Sequence, residues 1–442
     1  MNAIQFKETP SSCTSIPIAT WPQDSWITDY LEFGRKYSEA SDEALVGCIL
    51  PVVGAIMGRT VWVDFGGPKY PNLYVNLASN PGFRKSTTMG LAERMAREIL
   101  PARKFTSGTA SEEALFTEYS EEDGGDPDKL LIQDEGNTIL ANWANTSYGK
   151  VVAKRYLTLY DCKPFQVAFQ KNLKSGDSVV KRIDETSTNI LMGATLNVAN
   201  FHGLESADGM RRRFLTYLIR DFERVIYFPE SLESGEFETL WRQLAEIPNK
   251  VSGKVEFTEC GRKAFIKIQD RNRAKLRALP SSAGASESGL LAEEVSFTLK
   301  VAMIFQALRV ISPNSPNSPG AWAPMKLDKE VLKWANLHVQ NRLTDARELD
   351  SLGKHDELLR NCELVHSVVT SEFNKKRLDA DAIILTRSEL TTRFCNNPSR
   401  NSSLSSSLYT QIIPELVRQG LCVEFPKEGR LQRYAFKPDE FN

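Results

Sequence analysis

The chain is poor in the residues that build metal and redox sites. Its 442 residues include four histidines, dispersed at His202, His338, His355 and His366. Its seven cysteines (Cys13, Cys48, Cys162, Cys260, Cys362, Cys395 and Cys422) contain no C-x-x-C pair. A His/Cys metal centre is therefore not expected, and the scattered, odd set of thiols reads as that of a reduced, cytoplasmic protein. No G-x-S-x-G and no H-E-x-x-H occurs, and nothing resembles a primase zinc or polymerase centre. Hydrolase triads, zinc proteolysis and priming are not supported. Net charge is −1, so any contact with nucleic acid has to come from a local basic patch. The start, "MNAIQFKETPSS", lacks the basic-then-apolar order of a signal peptide. The uncharged run Ala44 to Gly58 is shorter than the ~20 residues of a spanning helix, and Pro51 interrupts it. The expectation there is a buried helix and no membrane partner.

What is present is an alternation of strands and helices. Residues 22 to 58 read as two helices. "RTVWVDF" and "NLYVNLA" read as strands, followed by a helix through Ile99. "KLLIQDEG" is a buried strand ending in two acids, and "STNILMGATLN" is an apolar strand with a polar end. This order predicts a largely parallel α/β sheet. From about Glu230 the pattern turns helical, with a Pro-rich spacer, "SPNSPNSPGAWAP". From about His355 the style changes again. Helices precede "LCVEFPKEGRLQRYAF", a hairpin pattern that fits a winged helix-turn-helix. The expected division is an N-terminal helical region (1–58), a core (59–228), a helical region (229–354) and a winged-helix domain (355–442).

The chemistry concentrates at "NLYVNLASNPGFRKSTTMGLAERM". Its loop nearly matches the phosphate-binding P-loop G-x-x-x-x-G-K-S/T. Ser79 and Arg84 stand where the two glycines belong, and Gly82 lies inside. In such a loop, backbone N–H groups wrap phosphates at a helix N-terminus. Asn80, Pro81, Gly82, Phe83, Arg84, Lys85, Ser86 and Thr87 would form it, with Lys85 on the β/γ-phosphates of ATP and Ser86 on Mg²⁺. About fifty residues on, a Walker-B-like strand end supplies Asp134 for the metal and Glu135 to polarise the attacking water. Each has a plainer reading, an ordinary helix start or a solvated strand end. Thr195 and Asn197 follow the next apolar strand, as γ-phosphate sensors or as a polar turn. "GMRRRF" holds Arg211, Arg212 and Arg213. Arg213 is the candidate for an arginine finger acting across a subunit boundary, against the alternative of a solvated basic turn.

Taken together, "NLYVNLASNPGFRKST", "LLIQDEG", "NILMGATLN" and "GMRRRF" resemble a family of phage-, plasmid- and island-borne P-loop ATPases of primase-helicase type, many known only as a domain of unknown function. Gly82, Lys85, Ser86, Gly209, Arg213 and Phe214 match its pattern, while Ser79 replaces its first glycine. The resemblance covers roughly residues 20 to 345. It implies a RecA/AAA-like core, a homo-oligomeric, hexamer-like ring and a role in replicating mobile DNA, with a primase or initiator as partner.

Two basic segments are candidates for DNA contact. Between Gly149 and Arg182, eight basic residues face only Asp161 and Asp177, interleaved with Tyr156, Tyr160, Phe165 and Phe169. Cations release counterions from phosphates and aromatic rings stack on unpaired bases. "FQVAFQKNLKSGDSVVKRI" reads as a hairpin. In hexameric helicases a hairpin at this place lines the pore with a Lys at its tip, which nominates Lys171 and Lys174; Lys181 and Arg182 are further DNA-contact candidates of the segment. The alternative is a solvated hairpin with core aromatics. In the C-terminal segment, "RNSSLSSSLYTQIIPELVRQG" would be a recognition helix with Pro414 inside it, and Arg400, Lys427, Arg430 and Arg433 would contact duplex DNA. A protein-docking winged helix is the alternative. The reading is an ATP-dependent DNA helicase-like motor or loader. Its rivals are an ATP-regulated initiator without motor activity and a structural protein with a dead loop.

Overall fold

In the computed structural model, residues 20–80, 82–108, 110–170, 178–196, 209–221, 223–280, 285–313, 324–376, 383–394, 407–426 and 432–436 are described. The chain is mixed α/β and divides into two compact units. The first holds nearly everything up to Arg347; the second runs from Glu348 to Asn442. The segments read as 1–58, 59–228 and most of 229–354 thus belong to one unit.

At the centre of the first unit lie four parallel strands: β3 (Tyr74–Ser79), β4 (Asp128–Gln133), β7 (Ser187–Thr195) and β8 (Phe214–Ile219), in the order β4-β7-β3-β8. Every residue of β3 and β8 is buried. Because successive side chains point to opposite faces, an unbroken buried run means that both faces of the sheet are covered. Helices α2 (Asp42–Met57) and α3 (Lys85–Ile99) pack on it, as do α5 (Gly136–Asn145) and α6 (Ser147–Tyr160).

α2 follows α1 (Trp26–Tyr37) and is buried from Ala44 to Met57. Its all-round apolar sequence demands that position. Ser41 caps it by accepting from the Ala44 N–H, and Asp42 and Glu43 complement the N-terminal dipole. The helix passes through Pro51 without ending there and is the buried helix expected for this run. With its 3-10 extension to Thr60 it is long and apolar enough to cross a membrane, but it is largely enclosed by this unit. Among the described residues no other helix has that length and composition.

A second sheet lies in the same unit. β1 (Val61–Asp64) and β2 (Pro68–Lys69) pair with β9 (Gly253–Phe257) and β10 (Lys326–Leu327), in the order β10-β9-β1-β2. The strand "RTVWVDF" therefore does not extend the central sheet, and the segment read as helical contributes two strands. β5 (Phe165–Gln170) and β6 (Ser178–Ile183) form the expected antiparallel pair, Phe165 opposite Ile183 and Gln170 opposite Ser178.

In the second unit, β11 (Ile383–Thr386), β12 (Cys422–Glu424) and β13 (Arg433–Phe436) form an antiparallel sheet in the order β11-β13-β12. Its core takes Val365 and Val369 from one long helix, Leu390 and Phe394 from the helix Arg387–Phe394, and Ile412 and Leu416 from the helical stretch before β12. That stretch is a π-turn, Leu408–Ile412, followed by a helix, Ile413–Arg418. Pro414 is the second residue of this last helix, directly after the π-turn.

Candidate functional site

The central sheet reverses direction at β3. The connection from β3 to β4 passes beyond β7 on one side, and that from β7 to β8 crosses β3 to the other. In open parallel sheets such a reversal leaves a crevice beyond the carboxyl ends of the strands. A cavity of about 540 Å³ lies there. The loop residues Asn80, Gly82, Phe83, Arg84, Lys85, Ser86 and Thr87 line one side of it, and Asp134 and Glu135 line another. The two motifs, half a hundred residues apart in sequence, thus share one space.

The loop's backbone explains its unusual sequence. Gly82 has φ 93° and Arg84 has φ 55°, ψ 20°, a left-handed turn immediately before α3. The motif's second glycine is absent, but the conformation that glycine favours is kept. Arg84 is held there by Glu39, which accepts from its Nε at 2.7 Å. The Arg84 carbonyl accepts from the Thr88 N–H and hydroxyl, at 3.1 and 3.0 Å, which fixes the first turn of α3.

Lys85 is half-buried. Burial lowers its pKa, while Asp134 and Glu135 act in the opposite sense. Room for its stem comes from Gly193 on β7, where a Cβ would lie 2.8 Å from Lys85 Cε and 2.8 Å from the Asp134 carbonyl oxygen. Ser79, at the end of β3, has a buried hydroxyl without a hydrogen-bond partner, and Asp134 Oδ1 is likewise buried and unpartnered. Both residues line the cavity, where a polar ligand would satisfy them; other buried unpartnered atoms, among them Tyr160 Oη and the Asn76 amide, lie away from it. The Ser86 hydroxyl and Asp134 carboxylate are hard oxygen donors. They suit a magnesium ion that arrives with its own phosphate and water ligands. Among the described residues no His, Cys, Asp and Glu cluster could hold a metal by itself.

Asn137, Thr138 and Gly193 also line the cavity and were missed in the sequence. Asn137 Nδ2 donates to Thr195 Oγ1 at 2.7 Å, and the Thr195 N–H donates back to Asn137 Oδ1 at 3.3 Å. This reciprocal pair ties the polar end of β7 to the turn after the acids. The only signal for Asn137 was its place two residues after Glu135. Pro81 and Asn197 lie outside the described residues.

Compared with protein-family models and with curated proteins, the chain matches none.

The remaining candidates are placed differently. Arg213 is buried, with its guanidinium on Asp161 at 3.1 Å and on the Gly209 carbonyl at 3.1 Å, and stacked 5.6 Å from the Tyr160 ring centre. Burial opposes the Asp161 charge, but the hydrogen bond and charge of Arg213 prevail and hold that carboxyl below its usual range. The guanidinium is thus committed within its own chain, and reaching a neighbouring subunit would require breaking this pair.

The basic segment is less basic in space than in sequence. Lys181 pairs with Asp123, Arg182 with Asp184 and Arg155 with Glu112. Tyr156, Tyr160 and Phe165 are core residues and are not available to stack on bases. Of the two readings of these rings, the core-aromatic one holds: Tyr160 packs on Tyr74, Tyr156 on Trp143, and Phe165 on Phe116 and Tyr119. Lys171 and Lys174 lie outside the described residues, as do Arg400, Lys427 and Arg430. Arg433 begins β13 and is exposed.

Proposed function

We propose that the chain is a Mg²⁺-dependent P-loop ATPase of RecA/AAA-like type, working as a helicase-like motor or loader on DNA. The observation that carries the ATPase reading is the convergence of the Gly82–Thr87 loop, Lys85 and the Asp134-Glu135 pair on one cavity at the reversal of a parallel sheet. The exposed helix N-terminus and its backbone N–H groups would take the phosphates, and Lys85 would neutralise the β/γ charge. Ser86 and Asp134 would hold magnesium, which supplies charge neutralisation on the transferred phosphoryl group. Glu135, exposed to the cavity, would orient and deprotonate the attacking water. The Asn137–Thr195 pair presents donors where the γ-phosphate would end.

The DNA part rests on the resemblance, on the β5–β6 hairpin and on the second unit, whose helices and three-stranded antiparallel sheet suit a winged helix. One observation favours the rival, an ATP-regulated initiator. The described basic residues Lys181 and Arg182 are already paired with acids, which weakens a translocating hairpin. ATP turnover by the full chain with and without single-stranded DNA tests both. A motor is stimulated severalfold; an initiator is not; absence of turnover and of ATP binding sinks the whole reading.

A further inference from the structure

The segment after β8 displays the most exposed large apolar side chains among the described residues. Val225 is 70% exposed, Tyr227 85% and Phe228 92%. Neighbouring apolar groups left in water on a monomer mark a contact surface. This one is not a loose loop. The Glu223 N–H donates to the Glu39 carbonyl at 3.2 Å, and the Glu230 N–H to the Lys36 carbonyl at 3.1 Å. Between them, Arg224 donates to the Ala40 carbonyl at 2.6 Å and to Asp42 at 2.8 Å. The Ile226 N–H donates to Glu39 Oε1 at 3.1 Å. The backbone is therefore held to the corner between α1 and α2 at Glu223, Ile226 and Glu230, and Val225, Tyr227 and Phe228 are left outward.

The same corner meets the phosphate-binding loop. Glu39 holds Ile226 with one oxygen and Arg84 with the other, at 2.7 Å. Two hydrogen bonds through one carboxylate separate the aromatic segment from the loop. β8, from which the segment emerges, lies beside β3, with Ile219 opposite Ser79. The acids, Thr195 and the Asn137 turn occupy the opposite, β7 side of β3. A triphosphate with its γ-end toward those acids would direct its nucleoside away from them, toward the β8 side.

From this placement we propose that Tyr227 and Phe228 form the stacking platform for the base of the bound nucleoside triphosphate. The proposal rests on the nucleotide reading above and adds the part of the ligand that the loop cannot hold. Aromatic rings accept the face of any base, and their few torsions lose little freedom on binding. The Glu39 bridge gives the platform a fixed position relative to Arg84.

The test is calorimetry on the full chain with Mg²⁺ and two ligands: a non-hydrolysable ATP analogue and inorganic tripolyphosphate, which has no base. The wild-type chain should prefer the nucleotide by roughly 5- to 100-fold, the worth of one stacked base. The Tyr227→Ala/Phe228→Ala double variant should bind tripolyphosphate unchanged and lose that preference. Tyr227→Trp/Phe228→Trp should keep it. Three results would overturn the platform: a retained preference in the alanine variant, an equal weakening of both ligands, or a changed oligomeric mass with the preference intact, which would make the patch a subunit contact. Lys85→Ala separates the two proposals. It should weaken both ligands together, and if it weakens neither, the phosphate reading fails whatever the platform does.

Discussion

Lys85 follows the carboxyl end of β3 and Arg213 precedes the amino end of β8, and the structure treats these two cations in opposite ways. Around Lys85 the protein leaves interactions unmade. Asp134 Oδ1 and Ser79 Oγ are buried without partners, and the loop holds a non-glycine residue in the left-handed region. The Arg213 guanidinium itself is met by a carboxylate, a carbonyl and an aromatic face, although Tyr160 Oη and Arg212 Nε beside it are also buried without hydrogen-bond partners and Cys162, next to Asp161, also has φ 53°. A cation whose donors are all engaged within its own chain belongs to the architecture. The contrast lies in the two cations themselves: Lys85 lines a cavity with Asp134 and Glu135, while the Arg213 guanidinium is engaged by Asp161 and Gly209.

The largest expected effect tests the contrast directly. Lys85→Ala should weaken ATP binding by about 10²-fold or more, the loss of charge-assisted bonds to phosphate, while the melting temperature stays near that of the wild type. Arg213→Ala should do the reverse. It leaves Asp161 without its partner, which costs about 2–4 kcal/mol of stability after allowing for the partial exposure of that carboxylate. ATP affinity per folded molecule should hold. Calorimetry and thermal melts on both variants decide. If Arg213→Ala melts normally and only turnover is lost, the finger role regains its place.

How far this contrast was legible in the sequence depends on residue and distance. The strand-loop-helix around Lys85 was visible because a buried strand, a turn glycine and a helix start follow one another within a few residues. The meeting of that loop with Asp134-Glu135 was only inferred from order, since it is created by the insertion of β7 between β3 and β4. The partner of Arg213 was invisible because Asp161 lies some fifty residues away and was counted among the acids facing a basic segment. The same blindness left two readings open for Tyr156, Tyr160 and Phe165: interleaving with lysine says nothing about which face a ring takes. β1 pairs with β9 across nearly two hundred residues, and no local pattern specifies a partner at that range.

Within the crevice, Glu135→Gln should bind ATP as the wild type does and turn it over about 10²- to 10³-fold more slowly, because the amide cannot accept the water's proton. Single-turnover hydrolysis against nucleotide binding gives the split. Unchanged turnover would assign the base elsewhere and leave Glu135 a solvated strand end.

A third cation sharpens the architectural side. Lys300 is wholly buried, donating to Asn72 Oδ1 at 3.0 Å and lying 3.7 Å from the Tyr160 ring centre. Burial brings its pKa down to about 8 from 10.5. Between these values the unfolded chain binds more protons than the folded one, so this group makes stability rise with pH. Across that window the wild type should gain on the order of 2 kcal/mol relative to Lys300→Met. Denaturant unfolding at pH 7.5 and pH 10 measures it, and parallel pH profiles for the two chains would remove Lys300 from the account.

The smallest effect probes the strain at Arg84, where substitution by two different residues is more informative than one. Both Arg84→Ala and Arg84→Gly delete the ion pair with Glu39. That pair is half exposed on the arginine side, so its loss costs roughly 0.5 kcal/mol. The two variants differ in the backbone. Alanine must still adopt φ 55°, which disfavours any Cβ by about 1–2 kcal/mol. Glycine escapes that penalty but gains about 0.5–1 kcal/mol of freedom in the unfolded chain. Arg84→Gly should therefore unfold at slightly higher denaturant than Arg84→Ala, by about 0.5–1 kcal/mol, and sit within about 0.5 kcal/mol of the wild type. The opposite order, alanine above glycine, would mean that the left-handed turn before Lys85 is not held in the free chain. The crevice would then be shaped by its ligand rather than waiting for it.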